Sequence, residues 1–153
     1  MTPNIDFFWK SFEELSLDDL YAIINLRQKV FVVEQNCPYI DTDYSDQEAF
    51  HLLGYQEDNL VAYLRTFGPN IKYVGSSIGR IVVEEEMRNL SVGKNIVNMA
   101  KDFLQNKYPS SEIVISAQHR LLKYYEGLEF TVRGEVYLED DIDHIQMYIA
   151  PKE

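Results

Sequence analysis

The stretch from Ile78 to Lys107 constrains the fold most, because it joins two hydrophobic periodicities of different kinds across a short polar turn. Ile81-Val82-Val83 is a β-branched run suited to a buried strand. After Arg88-Asn89-Leu90-Ser91-Val92-Gly93-Lys94, the residues Ile96, Met99, Ala100 and Phe103 recur at helical spacing, so a helix is expected to start near Val92. The first backbone N–H groups of such a helix have no intrahelical partner and carry the positive end of its dipole, which suits an anionic phosphate. Arg88 and Lys94 would add charge there, and Gly93 would let a backbone come close. Many strand-turn-helix units show the same pattern and bind nothing. A Walker-type loop and a dinucleotide fingerprint are both excluded, since neither G-x-x-x-x-G-K-[ST] nor a G-x-G-x-x-G after a strand occurs.

Around this unit the pattern alternates between strand and helix. Ile5 to Trp9 reads as a short first strand. Ser16 or Asp18 can cap a helix that buries Leu20, Ile23, Ile24, Leu26, Val30 and Phe31 and ends before Pro38. From Asn36 to Glu48 the chain is acidic and loop-like, with Asp41, Asp43, Asp46 and Glu48 close together. Asp41-x-Asp43-x-Ser45 begins like a calcium loop, but Asp46 stands where that loop needs glycine and Leu52 where it needs a bidentate glutamate, so calcium is excluded. Strands are expected at Phe50 to Tyr55 and Leu60 to Phe67, joined by the turn Gln56-Glu57-Asp58-Asn59, and again at Ser77 to Val83 and Ile113 to Ile115. A helix from about Gln118 to Gly127 follows. Two last strands, Thr131 to Tyr137 and His144 to Ile149, flank the acidic stretch Glu139 to Asp143. The order predicts an α/β sandwich with a mixed, mostly antiparallel sheet.

With 153 residues, 46% of them hydrophobic, the chain has material for one core, and a single domain over 1–153 is expected. No run approaches the ~18 apolar residues of a membrane helix, and Met1 to Asp6 lacks a basic n-region, so a cytoplasmic protein with no membrane partner is expected. Cys37 is the single cysteine, which leaves no intramolecular disulfide and no thiolate cluster; no metal is expected. A net charge of −11 opposes nucleic-acid binding. It would concentrate cationic amines and repel polyanions, so a phosphate site needs positive potential of its own, although acidic surfaces also serve plain solubility.

Several segments then carry a resemblance. Arg88-x-x-Ser91-x-Gly93 resembles the R-x-x-G-x-G/A pyrophosphate loop of the GNAT superfamily of N-acetyltransferases, with Ser91 in place of the first glycine. Downstream, Tyr124-Tyr125-Glu126-Gly127-Leu128-Glu129-Phe130 resembles the superfamily's F-Y-E-x-L-G-F signature, with Tyr125 on the tyrosine and Glu129 on the glycine. The run Leu26 to Tyr39, together with His51-Leu52-Leu53-Gly54, Ile78-Gly79-Arg80 and His144-Ile145-Gln146-Met147, is similar to the ElaA-like branch, so the resemblance spans nearly the whole chain.

This resemblance implies the GNAT fold, a mixed and mostly antiparallel central sheet flanked by helices. The implied activity is direct transfer of the acetyl group of acetyl-CoA to a primary amine of a small molecule or peptide. The backbone of Ile81, Val82 and Val83 would pair with the pantetheine arm as an added strand does. Residues Arg88, Asn89, Leu90, Ser91, Val92, Gly93 and Lys94 would hold the pyrophosphate. Tyr125 would protonate the leaving thiolate, its plainer reading being a tyrosine that packs with its hydroxyl in water. For the base that frees the amine, the candidates are Glu34, His51 and His144. Each also has a plain reading, Glu34 as a solvated helix end and the histidines as strand residues bonded to backbone. Arg27 and Arg80 are expected to be ion-paired within the fold, Arg80 having a second reading as a ligand for an acceptor carboxylate. A non-catalytic acyl-CoA sensor and an interaction scaffold are the alternatives. A homodimer suits an enzyme of this size, though nothing in the sequence marks an interface.

Overall fold

The computed structural model describes residues 3–152, so the reading of Met1 and Thr2 lies outside the described residues. Along the chain run β1 (Asp6–Ser11), α1 (Leu17–Arg27), β2 (Phe50–Gln56), β3 (Asn59–Phe67), β4 (Ser76–Val83), α2 (Val92–Lys107), β5 (Ile113–Gln118), α3 (Leu122–Glu126), β6 (Thr131–Glu139) and β7 (Ile142–Ile149). The seven strands follow the order β1-β2-β3-β4-β5-β7-β6. Pairs β1–β2, β2–β3, β5–β7 and β6–β7 are antiparallel and β4–β5 is parallel, which is the mixed α/β sheet expected. The chain divides into two compact units, residues 3–66 with Arg80–Val97, and Phe67–Gly79 with 98–152.

In the first unit, α1 starts at Ser16, whose hydroxyl accepts from the Asp19 N–H at 2.9 Å while the Asp19 carboxylate accepts from the Ser16 N–H, a reciprocal cap of about 1 kcal/mol. The helix does not stay α-helical to Pro38. Over Gln28–Glu34 it widens to a π-helix. Ile23, Leu26 and Val30 from this helix pack with Leu53, Leu60, Tyr63 and Val82 of the sheet. Gly54 is needed where β2 passes β1 and β3, since a Cβ there would meet Phe7 at 2.9 Å and Ala62 at 3.1 Å.

In the second unit, β5 and β7 present two unlike faces. Ile113, Ile115 and Ala117 pair with Ile149, Met147 and Ile145, and all but the last strand's end are buried; Ser116 and Gln118 pair with Gln146 and His144 on the other face. The expected helix over Gln118 to Gly127 is shorter, a 3-10 turn at His119–Leu121 followed by α3, because Gln118 still belongs to β5. Buried Lys101 of α2 donates to the Leu128 carbonyl at 2.7 Å and so ties down the end of α3. The stretch Glu139 to Asp143 is a tight hairpin, with Asp140 and Asp141 both at positive φ (51° and 61°), the geometry of a type I′ turn.

Candidate active site

The turn before α2 has the form expected of an anion cradle. Asn89 and Ser91 both adopt the left-handed conformation at φ 64°. Ser91 thus takes the backbone state for which glycine is the ordinary choice. Its carbonyl accepts the first intrahelical bond, from the Asn95 N–H at 3.0 Å, so the N–H groups of Val92, Gly93 and Lys94 precede the hydrogen-bond ladder. α2 runs 16 residues, Val92–Lys107, so its dipole is fully developed at this end. Val92, Ile96, Val97, Ala100 and Leu104 form the buried stripe, while Met99 and Phe103 are only partly covered. These backbone donors, with exposed Ser91 and Lys94 beside them, fit a pyrophosphate.

Arg88 sits at the start of this turn but is engaged in the protein. It donates from Nε to the Val83 carbonyl at 3.1 Å, and its two terminal nitrogens meet the Glu34 carboxylate at 2.6 and 3.0 Å. Arg88 and Glu34 therefore form a bidentate pair that ties the end of the π-helix to the end of β4. Within β4, Val82 is buried in the core, whereas Ile81 and Val83 are partly exposed. The register of β4 with β5 consists of Ser76 opposite Ile113 and Ser77 opposite Val114, and includes none of Ile81, Val82 or Val83. Arg80, at φ 48°, bends the strand just ahead of them.

The acidic loop is the counter-charge of three arginines. Arg27, wholly buried, donates to Asp41 at 2.7 Å and to Asp46 at 2.8 Å. Arg65 donates to Asp46 at 2.7 Å and to Asp43 at 2.6 Å, and Arg80 lies 2.9 Å from Asp41 while donating to its carbonyl. The ion pairing expected for Arg27 and Arg80 is thus present. Burial alone raises the Asp46 carboxyl, but the Arg27 and Arg65 guanidinium groups outweigh it and hold Asp46 below the usual carboxylate range. Asp43 is held low in the same way by Arg65.

His51 belongs to this buried assembly. Its Nε2 must donate to the Asp46 carbonyl at 2.9 Å, because a carbonyl only accepts, and its Nδ1 then accepts from the Tyr63 hydroxyl at 2.6 Å. With the ring fully buried, desolvation lowers its pKa and keeps it neutral.

In the second unit, Tyr125 is 7% exposed, with its ring edge-on to Tyr124 and Phe130. No described residue hydrogen-bonds its hydroxyl. The ring is buried, while the hydroxyl at its tip is open to solvent and so can be reached by a ligand. Burial, with Tyr124 adding to it, pushes its pKa well above the ordinary value, so the group keeps its proton at neutral pH. Four residues on, Glu129 adopts φ 75°, supplying the turn where the signature has glycine.

His144 is also in this unit, and it is not alone. Its Nδ1 donates to the Ile142 carbonyl at 2.7 Å, Nε2 lies 3.5 Å from Glu139 Oε2, and its ring stacks on Tyr137. Tyr137 is in short contact with the Ser116 hydroxyl, which donates to Glu139 Oε1 at 3.2 Å. Reading the sequence alone misses Ser116, Tyr137 and Glu139. The signal was the pair Asp140-Asp141, since a two-residue turn there sets Tyr137 opposite His144. Among the described residues no group of three or more His, Cys, Asp or Glu side chains could hold a metal ion.

Comparison with known proteins shows the family of the chain. The family model described as an acetyltransferase (GNAT) domain matches residues 26–151. Protein ElaA of Escherichia coli is 39% identical over 136 residues, covering 88% of this chain and 89% of its own. The crystal structure of an acyl-CoA N-acyltransferase from Pseudomonas aeruginosa superposes with a TM-score of 0.91 at 36% identity, over 96% of this chain and 100% of that one. The crystal structure of Escherichia coli ElaA gives a TM-score of 0.88 at 36% identity, over 95% and 99%. The fold is that of the acyl-CoA N-acyltransferases. This chain belongs to the GNAT acetyltransferase family, in its ElaA-like branch, and its chemistry is in general terms that of an acyl-CoA-dependent acyltransferase.

Proposed function

We propose that the chain is an N-acetyltransferase that moves the acetyl group of acetyl-CoA directly onto a primary amine of a small molecule or peptide, the whole chain serving as one catalytic domain. The observation that carries this reading is the Tyr125 hydroxyl, which is protonated, has no protein partner and is open to solvent at the tip of a buried ring. Acetyl-CoA supplies an activated thioester, and the thiolate that leaves needs a proton. Tyr125 holds one at neutral pH and gives it as the C–S bond breaks. A module that only senses acyl-CoA leaves that hydroxyl without a task.

The donors at the start of α2, with Lys94, bind the pyrophosphate, and the Ile81 to Val83 backbone pairs with the pantetheine arm. Arg88 acts from its pair with Glu34, so the two shape the turn as a unit. That pairing counts against Glu34 as the base. The buried neutral ring of His51, with both nitrogens engaged, counts against it as well, and His144 is the remaining candidate. A net charge of −11 favours cationic acceptors, and the lone Cys37 fits a reducing cytoplasm.

Calorimetric titration of acetyl-CoA tests the reading. The parent protein should bind, and Gly93→Glu, which sets a carboxylate among the first-turn N–H groups, should abolish binding. Retained binding in that variant, or none in the parent, would refute the cradle.

A further inference from the structure

We propose that the connected side chains Tyr137, Ser116, Glu139 and His144 are the proton acceptor of this transfer. The inference rests on the N-acetyltransferase reading above. The direction of the chain follows from the hydrogen-bond chemistry of its members. A carbonyl only accepts, so His144 Nδ1 carries the proton in its 2.7 Å contact with Ile142, and the lone pair of the neutral ring is on Nε2. That lone pair faces Glu139 Oε2 at 3.5 Å. Nε2 is thus the ring atom of His144 able to accept a proton. The other Glu139 oxygen accepts from Ser116, and Ser116 is joined to the Tyr137 hydroxyl.

The chain therefore runs from a group open to solvent, Tyr137, to a buried ring, His144 at 6% exposure. In the forward step the acceptor ammonium gives a proton to the Tyr137 oxygen as Tyr137 passes its own to Ser116 and Ser116 passes its own to Glu139. The Glu139 carboxyl, protonated on Oε1, then turns about its Cγ–Cδ bond to present that proton to the ring, and the proton comes to rest on His144 Nε2. One N–H bond of the ammonium is broken and one on Nε2 is formed, leaving a neutral amine and an imidazolium beside a carboxylate. Tyr137 is the catalytic contact; Ser116, Glu139 and His144 act through it.

The local fold is built around this cluster. Gly134, Glu135 and Val136 of β6 stand against the single Ile145 of β7, a bulge that resets the register so that Tyr137 lies opposite His144. Gly134, at φ 78°, makes that bulge possible. Ser116 and Gln118 come from the end of β5 whose next turn leads into α3 and Tyr125, so acid and base share that end of the strand. The charged and titratable groups facing the cluster are few. Tyr73, its hydroxyl raised by burial and then by Tyr137 and Glu139, faces it from the segment before β4; Gln118 of β5 is neutral, and Arg133 of β6 is committed to Glu112 at 2.7 and 2.8 Å.

Two amine probes separate a base from a merely structural cluster. Ethylamine is an ammonium at neutral pH and must lose a proton before attack, whereas hydroxylamine is already neutral. With acetyl-CoA, and after subtraction of the uncatalysed reaction, Tyr137→Phe and Glu139→Gln should lose about 10²-fold in kcat with ethylamine and little with hydroxylamine. Equal losses with both probes, or none with either, would overturn the inference while leaving the transferase reading intact. A parent protein that releases no thiol with either probe removes both. Independently of activity, 15N shifts of the imidazole nitrogens should show neutral His144 protonated at Nδ1 and His51 at Nε2. An Nε2–H tautomer at His144 would also overturn the assignment.

Discussion

Two residues set the character of the site, and both depart from the family signature in the same way. Ser91 and Glu129 stand at glycine positions and still adopt φ 64° and 75°. The backbone shape of both turns is thus kept, at a strain of about 1 kcal/mol each for a residue with a Cβ. Ser91→Gly should relieve that strain and raise Tm by about 2–4 °C in a thermal scan, with acetyl-CoA affinity unchanged. An unchanged or lowered Tm would mean that the serine hydroxyl contributes more than the strain costs. Tyr125→Phe should keep calorimetric binding of acetyl-CoA and lose at least about 10²-fold in kcat. Loss of binding would instead make Tyr125 a packing residue. The position of Tyr125 was legible in its motif, but its missing hydrogen-bond partner was not, because only packing from Phe130 and Tyr124 buries it.

Among the elements, the loop from Asn36 to Glu48 gains most from being seen folded. In sequence it reads only as an acidic loop with calcium excluded; folded, it is a set of counter-charges for Arg27, Arg65 and Arg80. Asp46 is shared by two buried guanidinium groups, at 2.8 and 2.7 Å. Asp46→Ala should therefore destabilise the fold by about 3 kcal/mol in urea unfolding, because two buried guanidinium groups each lose one of their two carboxylate partners. A cost under about 1 kcal/mol would show the cluster to be well solvated. The α2 element was legible at its start, where turn residues are local. The π-helix was not, because nothing in the local pattern of Gln28–Glu34 distinguishes it from a continuing α-helix.

At the scale of the whole molecule, charge links fold and solution behaviour. Burial raises the Asp19 carboxyl, yet hydrogen bonds from Lys10, Tyr55 and the Ser16 backbone outweigh it and lower its pKa from 3.8 to about 2. A carboxyl lowered by folding contributes stability that is complete above its unfolded pKa and is lost as pH falls through its folded one. Asp43 and Asp46 are lowered too, so all three act in the same direction. The urea midpoint should hold from pH 7 to about pH 5 and then fall steeply between about pH 4 and pH 2. A flat midpoint across that window would contradict the ion-paired arrangement. No helix among the described residues is long and apolar enough to cross a membrane.

By itself the sequence determined what depends on neighbours along the chain: the strand-turn-helix unit leading into α2, the place of the motif tyrosine and the succession of strands and helices that makes a mixed sheet. These follow from periodicity and turn chemistry over a few residues. Only the tertiary structure decided the partners of the charged and titratable groups. Arg27 finds Asp41 across 14 residues of sequence and Asp46 across 19, and His51 and His144 take opposite proton placements because different carbonyls face them. Ser116, Tyr137 and Glu139 gather around His144 because one two-residue turn and one bulge fix the register of β6. A shift of a single residue there would turn Tyr137 and Glu139 to the other face of the sheet, away from Ser116 and His144.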